Sequence, residues 1–141
     1  MSEPLYSLDI LRLAAATADF PRLATPDASV ERRSVTCGSR IIVDVMFDAA
    51  GLVTAYGHQV NACALGQAAA TVFARHAVGR SAAEIAIARD EMGQWLTDGG
   101  APRPAWPDIG LLERARGYSA RHGSIRLAFE AASEAMVPVV R

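Results

Sequence analysis

The chain has 141 residues, 51% of them hydrophobic and 21% charged, with a formal net charge of −1. These values exclude a disordered chain and nucleic-acid binding through bulk positive charge. The length suits a single domain over residues 1–141, with enough core to fold without staples. All 14 basic residues are arginine and alanine supplies 28 positions, which reads as genome composition bias. No apolar run approaches the roughly 20 residues of a membrane span. MSEPLYSLDI shows no basic segment leading into an apolar stretch, so no secretory signal is expected. Cys37 and Cys63 are too few for a disulfide framework, and a cytoplasmic setting with free thiols is the expectation.

In chain order, Leu8, Ile10, Leu11 and Leu13 form an apolar stripe that Ser7 can cap, predicting a helix over about 7–18. Pro21 and Pro26 end it. A short strand is expected from Arg33 into Cys37, ahead of a hairpin of Arg40–Asp48 and Leu52–Val60 turning at Ala49-Ala50-Gly51. An alanine-rich helix follows over Ala62–Val78, with Asn61 as its cap. Ser81-Ala82-Ala83-Glu84 is a capping box for a helix from Ala82 to about Leu96. Three prolines make 101–107 a loop, Asp108 should cap a short helix over Ile109–Arg116, and Ser124 a last helix to Met136. Early strands and late helices without βαβ alternation give an α+β class, a small antiparallel sheet covered by helices.

The cysteines fall where chemistry is feasible. Cys37 precedes Gly38, which lets a ligand come close to the backbone. Cys63, placed in the first turn of the long helix, meets N–H groups and a dipole that favour the thiolate, the form that binds metal or attacks sulfur. Both thiols could stand at one end of the sheet. Their 25 intervening residues are not a zinc-ribbon spacing, and two buried apolar cysteines are the ordinary alternative.

Cys37-Gly38-Ser39-Arg40 before an alternating strand, Cys63 opening an alanine-rich helix, and Val78-Gly79-Arg80-Ser81-Ala82-Ala83-Glu84 opening the next resemble the IscU/SufU/NifU N-terminal family of iron–sulfur cluster assembly scaffolds. Ala120-Arg121-His122-Gly123-Ser124-Ile125-Arg126-Leu127-Ala128-Phe129 is similar to that family's third cysteine motif. The resemblance covers about residues 5–136, and Asp98 to Ser119 is similar to the insertion of the SufU branch. It implies a three-stranded antiparallel sheet packed with helices, and a site of three cysteines and one aspartate. Such a site binds zinc or a nascent iron–sulfur cluster and takes persulfide sulfur from a cysteine desulfurase. Cys37 and Cys63 match the first two cysteines; Ser39 stands where the family has Asp, and Ser124 where it has the third Cys.

A serine hydroxyl ionises far above neutral pH and substitutes poorly for a thiolate or carboxylate. His122, two residues before Ser124, could supply a ligand, or two subunits could each bring Cys37 and Cys63. The site could otherwise be degenerate, with the fold kept for partners or for sulfur relay. The resemblance thus implies a scaffold or carrier, a monomer or homodimer. It would bind iron, an iron–sulfur cluster or zinc through Cys37 and Cys63, with Ser39, His122 and Ser124 as further candidates, or carry no metal when purified. Its partners would be a cysteine desulfurase and cluster-accepting proteins, with no nucleic acid and no membrane. The alternatives are a persulfide relay through Cys63 or Cys37, and a regulator that binds a desulfurase without metal.

Plainer roles fit other residues: His58 on the strand surface, His76 at a helix C-terminus, Ser39 and Ser124 as caps, and His122 as an exposed helix start. Trp95 and Trp106 suit core anchors. Arg32, Arg33, Arg114, Arg116 and Arg121 suit solvated surface, with docking of an acidic partner as the sharper alternative.

Overall fold

A computed structural model describes residues 6–35 and 38–140. Its centre is an antiparallel sheet in the order β1-β2-β3, made by β1 (Ala28–Arg33), β2 (Arg40–Phe47) and β3 (Val53–Asn61). Ile41, Val43 and Val45 alternate along β2 and are fully buried, because successive side chains point to opposite faces and these three meet the helices. In the turn of the expected hairpin, Gly51 takes φ +82° and Asp48 accepts from the N–H groups of Ala50 and Leu52. The first strand lies earlier than expected from Arg33 into Cys37. Its half-buried positions, Ala28, Val30 and Arg32, alternate with exposed Ser29, Glu31 and Arg33, and pairing ends at Arg33 opposite Arg40. That short, charged alternation is a weak signal beside the hairpin. Cys37, the expected end of that strand, lies outside the described residues.

Of helices α1 (Leu8–Ala15), α2 (Ala64–Ala77), α3 (Ala82–Thr97) and α4 (His122–Ala135), α2 and α4 pack on the sheet, while α1 packs on α2 and α3 on α4. Ser7 caps α1 by accepting from the Ile10 N–H at 3.3 Å. The Ser81 box caps α3: the Ser81 hydroxyl accepts from the Glu84 N–H, and the Ser81 N–H donates to the Glu84 carboxylate. That backbone bond is the largest influence holding Glu84 below the usual carboxylate range. The long helix begins later than predicted. Asn61 still pairs with Arg40 as the last residue of β3, and Cys63 is the N-cap, with no side-chain cap bond. Two further predicted caps also differ. Asp108 sits at φ +69° before a 3-10 helix, Ile109–Gly117, and turns its carboxylate to His76 Nε2 at 2.8 Å. Helix α4 begins at His122, so Ser124 lies inside its first turn.

Trp106 fixes the proline-rich loop to the core. Its ring stacks on Phe73 at 4.9 Å and meets Phe129 edge-on, its Nε1 donates to the Val72 carbonyl, and the Arg80 guanidinium covers it. Trp95 is buried under Arg116, which also donates to the Trp95 carbonyl.

The segment from Thr17 to Leu23 is tied down as a strap against β3 and β2. The His58 N–H donates to the Phe20 carbonyl, and Gly57 has no side chain because the Pro21 carbonyl occupies that space. Asp44, opposite Gly57 in the sheet, is 0% exposed and accepts from Arg22, the Ser29 hydroxyl and the Leu23 N–H. Burial pushes the Asp44 carboxyl up, but the bonds from Arg22, Ser29 and Leu23 outweigh it and hold it below its ordinary value. His58 is buried rather than on the surface: Nδ1 faces the Tyr56 hydroxyl at 3.0 Å and Nε2 the Thr17 carbonyl at 3.1 Å. The strap covers the side of β3 that an outer strand would leave open, which removes the exposure expected for His58. Burial lowers its pKa, with the Thr17 bond opposing.

Candidate functional site

Three of the five sequence-predicted site residues converge where β3 runs into α2. Cys63 is half-buried at the N-cap of α2, and its thiol donates to Ser124 Oγ at 3.8 Å. Ser124 Oγ in turn lies 2.5 Å from Ser39 Oγ. Both serines are buried, 4% exposed for Ser39 and 2% for Ser124. Their side chains therefore bond each other and cap neither helix, which corrects the plainer reading. Ser124 turns inward because α4 starts three residues earlier than the cap assignment required, placing it on the helix face toward α2.

Elements around the site are shaped to let these groups meet. Residue 39 is held by backbone bonds in which the Ser34 N–H donates to the Ser39 carbonyl and the Gly38 N–H to the Ser34 carbonyl. Gly38 takes φ +68°, a conformation that glycine adopts without strain, and the space beside it is open. A Cβ on Gly66 would lie 2.6 Å from Ser124 Oγ, and a Cβ on Gly123 would collide with Ser34 Oγ. These two glycines let α4 approach α2 and Ser34. Sequence reasoning passed over them; the available signal was their spacing, three residues after Cys63 and one before Ser124.

His122 lies at the first position of α4 and is buried, contrary to the exposed helix start expected. Its Nε2 bonds the Arg116 carbonyl at 2.9 Å, since the 3-10 segment folds back over the helix N-terminus. No bond joins it to Cys63, Ser39 or Ser124 among the described contacts. Cys37 lies outside the described residues. A cleft of about 480 Å³ lies between α1 and the 3-10 segment, bordered by Asp9, Ile10, Leu65 and Arg114, and includes none of the three converging residues.

The donor set decides what the site can hold. Zinc takes four thiolate, imidazole or carboxylate donors, and iron–sulfur clusters are held mainly by thiolates. Here one thiol faces two neutral hydroxyls that are bonded to each other, and among the described residues no three of His, Cys, Asp and Glu are grouped to hold a metal. The whole sequence has two cysteines, so one chain does not fit a four-thiolate site. No helix among the described residues is long and apolar enough to cross a membrane.

No protein-family model and no curated protein sequence matches the chain. Among solved structures, it is similar to a nitrogen-fixing NifU-like protein (N-terminal) from Brucella abortus. The two share 36% identity over 94% of this chain and 92% of that one, with a TM-score of 0.85. A protein from Fervidobacterium islandicum, described as a candidate iron–sulfur cluster assembly scaffold of the SUF system, has the same fold. It shows 16% identity, a TM-score of 0.83, and coverage of 94% and 96% of the two chains. The three-stranded antiparallel sheet under its helices matches these structures, and the 36% identity runs through nearly all of both chains. On that likeness, the chain belongs to the IscU/SufU/NifU N-terminal family.

Proposed function

We propose that the protein serves iron–sulfur cluster assembly as a scaffold or carrier that receives its cargo at Cys63 and Cys37. The observation that carries this reading is the meeting of Cys63, Ser39 and Ser124 in one hydrogen-bonded cluster at the start of α2, in a chain 36% identical to a NifU-like protein. Iron or a cluster is the cargo; with two thiols per chain, its remaining ligands come from a second copy or from the molecule that delivers it. A cysteine desulfurase as sulfur source, a cluster-accepting protein as recipient and a cytoplasmic setting belong to the same proposal.

A second reading, sulfur relay through Cys63 or Cys37 without metal, is favoured by the Ser39–Ser124 bond, which offers hydroxyls where zinc takes thiolate, imidazole or carboxylate donors. Metal and acid-labile sulfide content of protein purified without oxygen separates the two. Iron with sulfide is expected for the scaffold, and Cys63→Ala or Cys37→Ala should each abolish it. Equal metal content in wild type and both variants would refute the assignment, whereas no metal with two titratable thiols would select the relay.

A further inference from the structure

We propose that Ser39 and Ser124 are specificity-determining residues: a buried hydroxyl pair that fits the site to a sulfur atom carried on Cys63 and disqualifies it for a divalent cation held by one chain. This rests on the reading that Cys63 receives cargo for cluster assembly.

The first support is the cost of placing a cation there. Each hydroxyl is neutral, more than nine-tenths buried and bonded to the other at 2.5 Å. Coordination would break that bond and leave a cation on neutral hydroxyl donors, where among the described residues no three of His, Cys, Asp and Glu are grouped to hold it. The second is the direction of the bonds. The Cys63 thiol donates to Ser124 Oγ, and either serine can donate to the other. The chain of hydroxyls can therefore reverse. When Cys63 carries an anionic sulfur, Ser39 donates to Ser124 and Ser124 donates to the sulfur, stabilising the charge without a metal. The third is access: Cys63 is half-buried, and Gly38, next to Ser39, borders open space. Gly66 leaves room for the Ser124 hydroxyl beside Cys63, since a Cβ there would lie 2.6 Å from Ser124 Oγ.

The sulfur arrives as the outer atom of a cysteine persulfide on a partner. The Cys63 sulfur attacks that atom and forms a new S–S bond. The donor's S–S bond breaks with its electron pair on the inner sulfur, which takes the proton that Cys63 releases. One S–S bond replaces another, so no oxidant or reductant is consumed. Ser124 touches the reacting sulfur; Ser39 acts through Ser124 as a positioning residue.

Two probes test the pair on the reduced full chain: Zn²⁺ alone, and glutathione persulfide. The Ser39→Asp/Ser124→Cys double variant should gain zinc affinity over wild type by more than the roughly 10–100-fold that one outer-shell partner is worth to a metal site. Should it fail to fold by circular dichroism, Ser124→Cys alone carries that arm. Wild-type Cys63 should take one sulfur atom from glutathione persulfide, read by peptide mass, several-fold faster than in Ser124→Ala. Ser39→Ala should slow the loading and Ser39→Thr, which restores the hydroxyl, should recover it. Zinc affinity in wild type equal to that of the folded variants overturns the proposal, as does loading indifferent to Ser124→Ala. The function reading fails separately: a chain that shows the expected zinc and sulfur behaviour, yet passes no cluster to an apo-ferredoxin, keeps its hydroxyl-pair selectivity and loses its place in cluster assembly.

Discussion

Asp44 has no exposed surface, yet it carries a charge, and four hydrogen bonds from Arg22, Ser29 and Leu23 make that tolerable. Asp44→Ala leaves the Leu23 N–H and the Ser29 hydroxyl without their acceptor, and unfolding in urea should show a loss of about 2–4 kcal/mol. His58 makes the same region sensitive to acid. Its native pKa lies below the 6.5 of the unfolded chain, so the unfolded state takes up the proton first. Stability should then be full above pH 6.5 and decline as the pH falls below it, levelling once the native imidazole also protonates. Asp44 adds a second decline of the same sign, as the pH falls from 3.8 through its lower native value. Urea midpoints of wild type and His58→Gln between pH 5 and 8 check the first step, which should vanish in the variant. A midpoint that stays flat in wild type sinks the assignment.

At the scale of the elements, the approach of α2 to α4 decides where Ser124 sits. Helix propensity alone favours Gly66→Ala by about 1 kcal/mol. Packing opposes it, because the new methyl would stand 2.6 Å from Ser124 Oγ and 2.8 Å from the Ala62 Cβ, and overpacking of this kind costs about 1–3 kcal/mol. The expected net result is a less stable protein, seen as a lower midpoint in thermal unfolding; a higher midpoint would mean that α4 can move away freely. Caps show what was legible in the sequence at this scale. Ser7 and the Ser81–Glu84 box act as their positions suggested, since each precedes a clear apolar period. Asn61, Asp108 and Ser124 are equally good cap residues by type, but each has a stronger tertiary commitment: strand pairing to Arg40, the His76 imidazole and the Ser39 hydroxyl.

Over the whole molecule, α+β class, hairpin and helix order follow from local periods in the chain, and so were readable. Convergence of Ser39, Cys63 and Ser124 was readable only through family resemblance, since residues 24 and 61 positions apart meet by tertiary packing that no local pattern encodes. The burial of His58 and His122 escaped for the same reason: strap and 3-10 segment cover them from distant parts of the chain. Trp106 shows how far one residue can reach, joining the proline-rich loop to Phe73 on α2 and Phe129 on α4. Trp106→Ala should cost about 3–5 kcal/mol in chemical denaturation, and a loss below about 1 kcal/mol would show that the loop is not part of the cooperative unit.

The strap has one more consequence, for how the protein behaves in a crowd of its own copies. A three-stranded sheet has two outer strands, each a template for strands of another molecule. On β3 the Phe20 carbonyl already takes the His58 N–H, while β1 presents Glu31 and Arg33 to solvent. Ribbon-like stacking is thus blocked by a backbone clasp on one side and by charge on the other. Loosening the clasp, through acid or loss of Asp44, would bare a nine-residue strand and turn a local opening into a seed for aggregation.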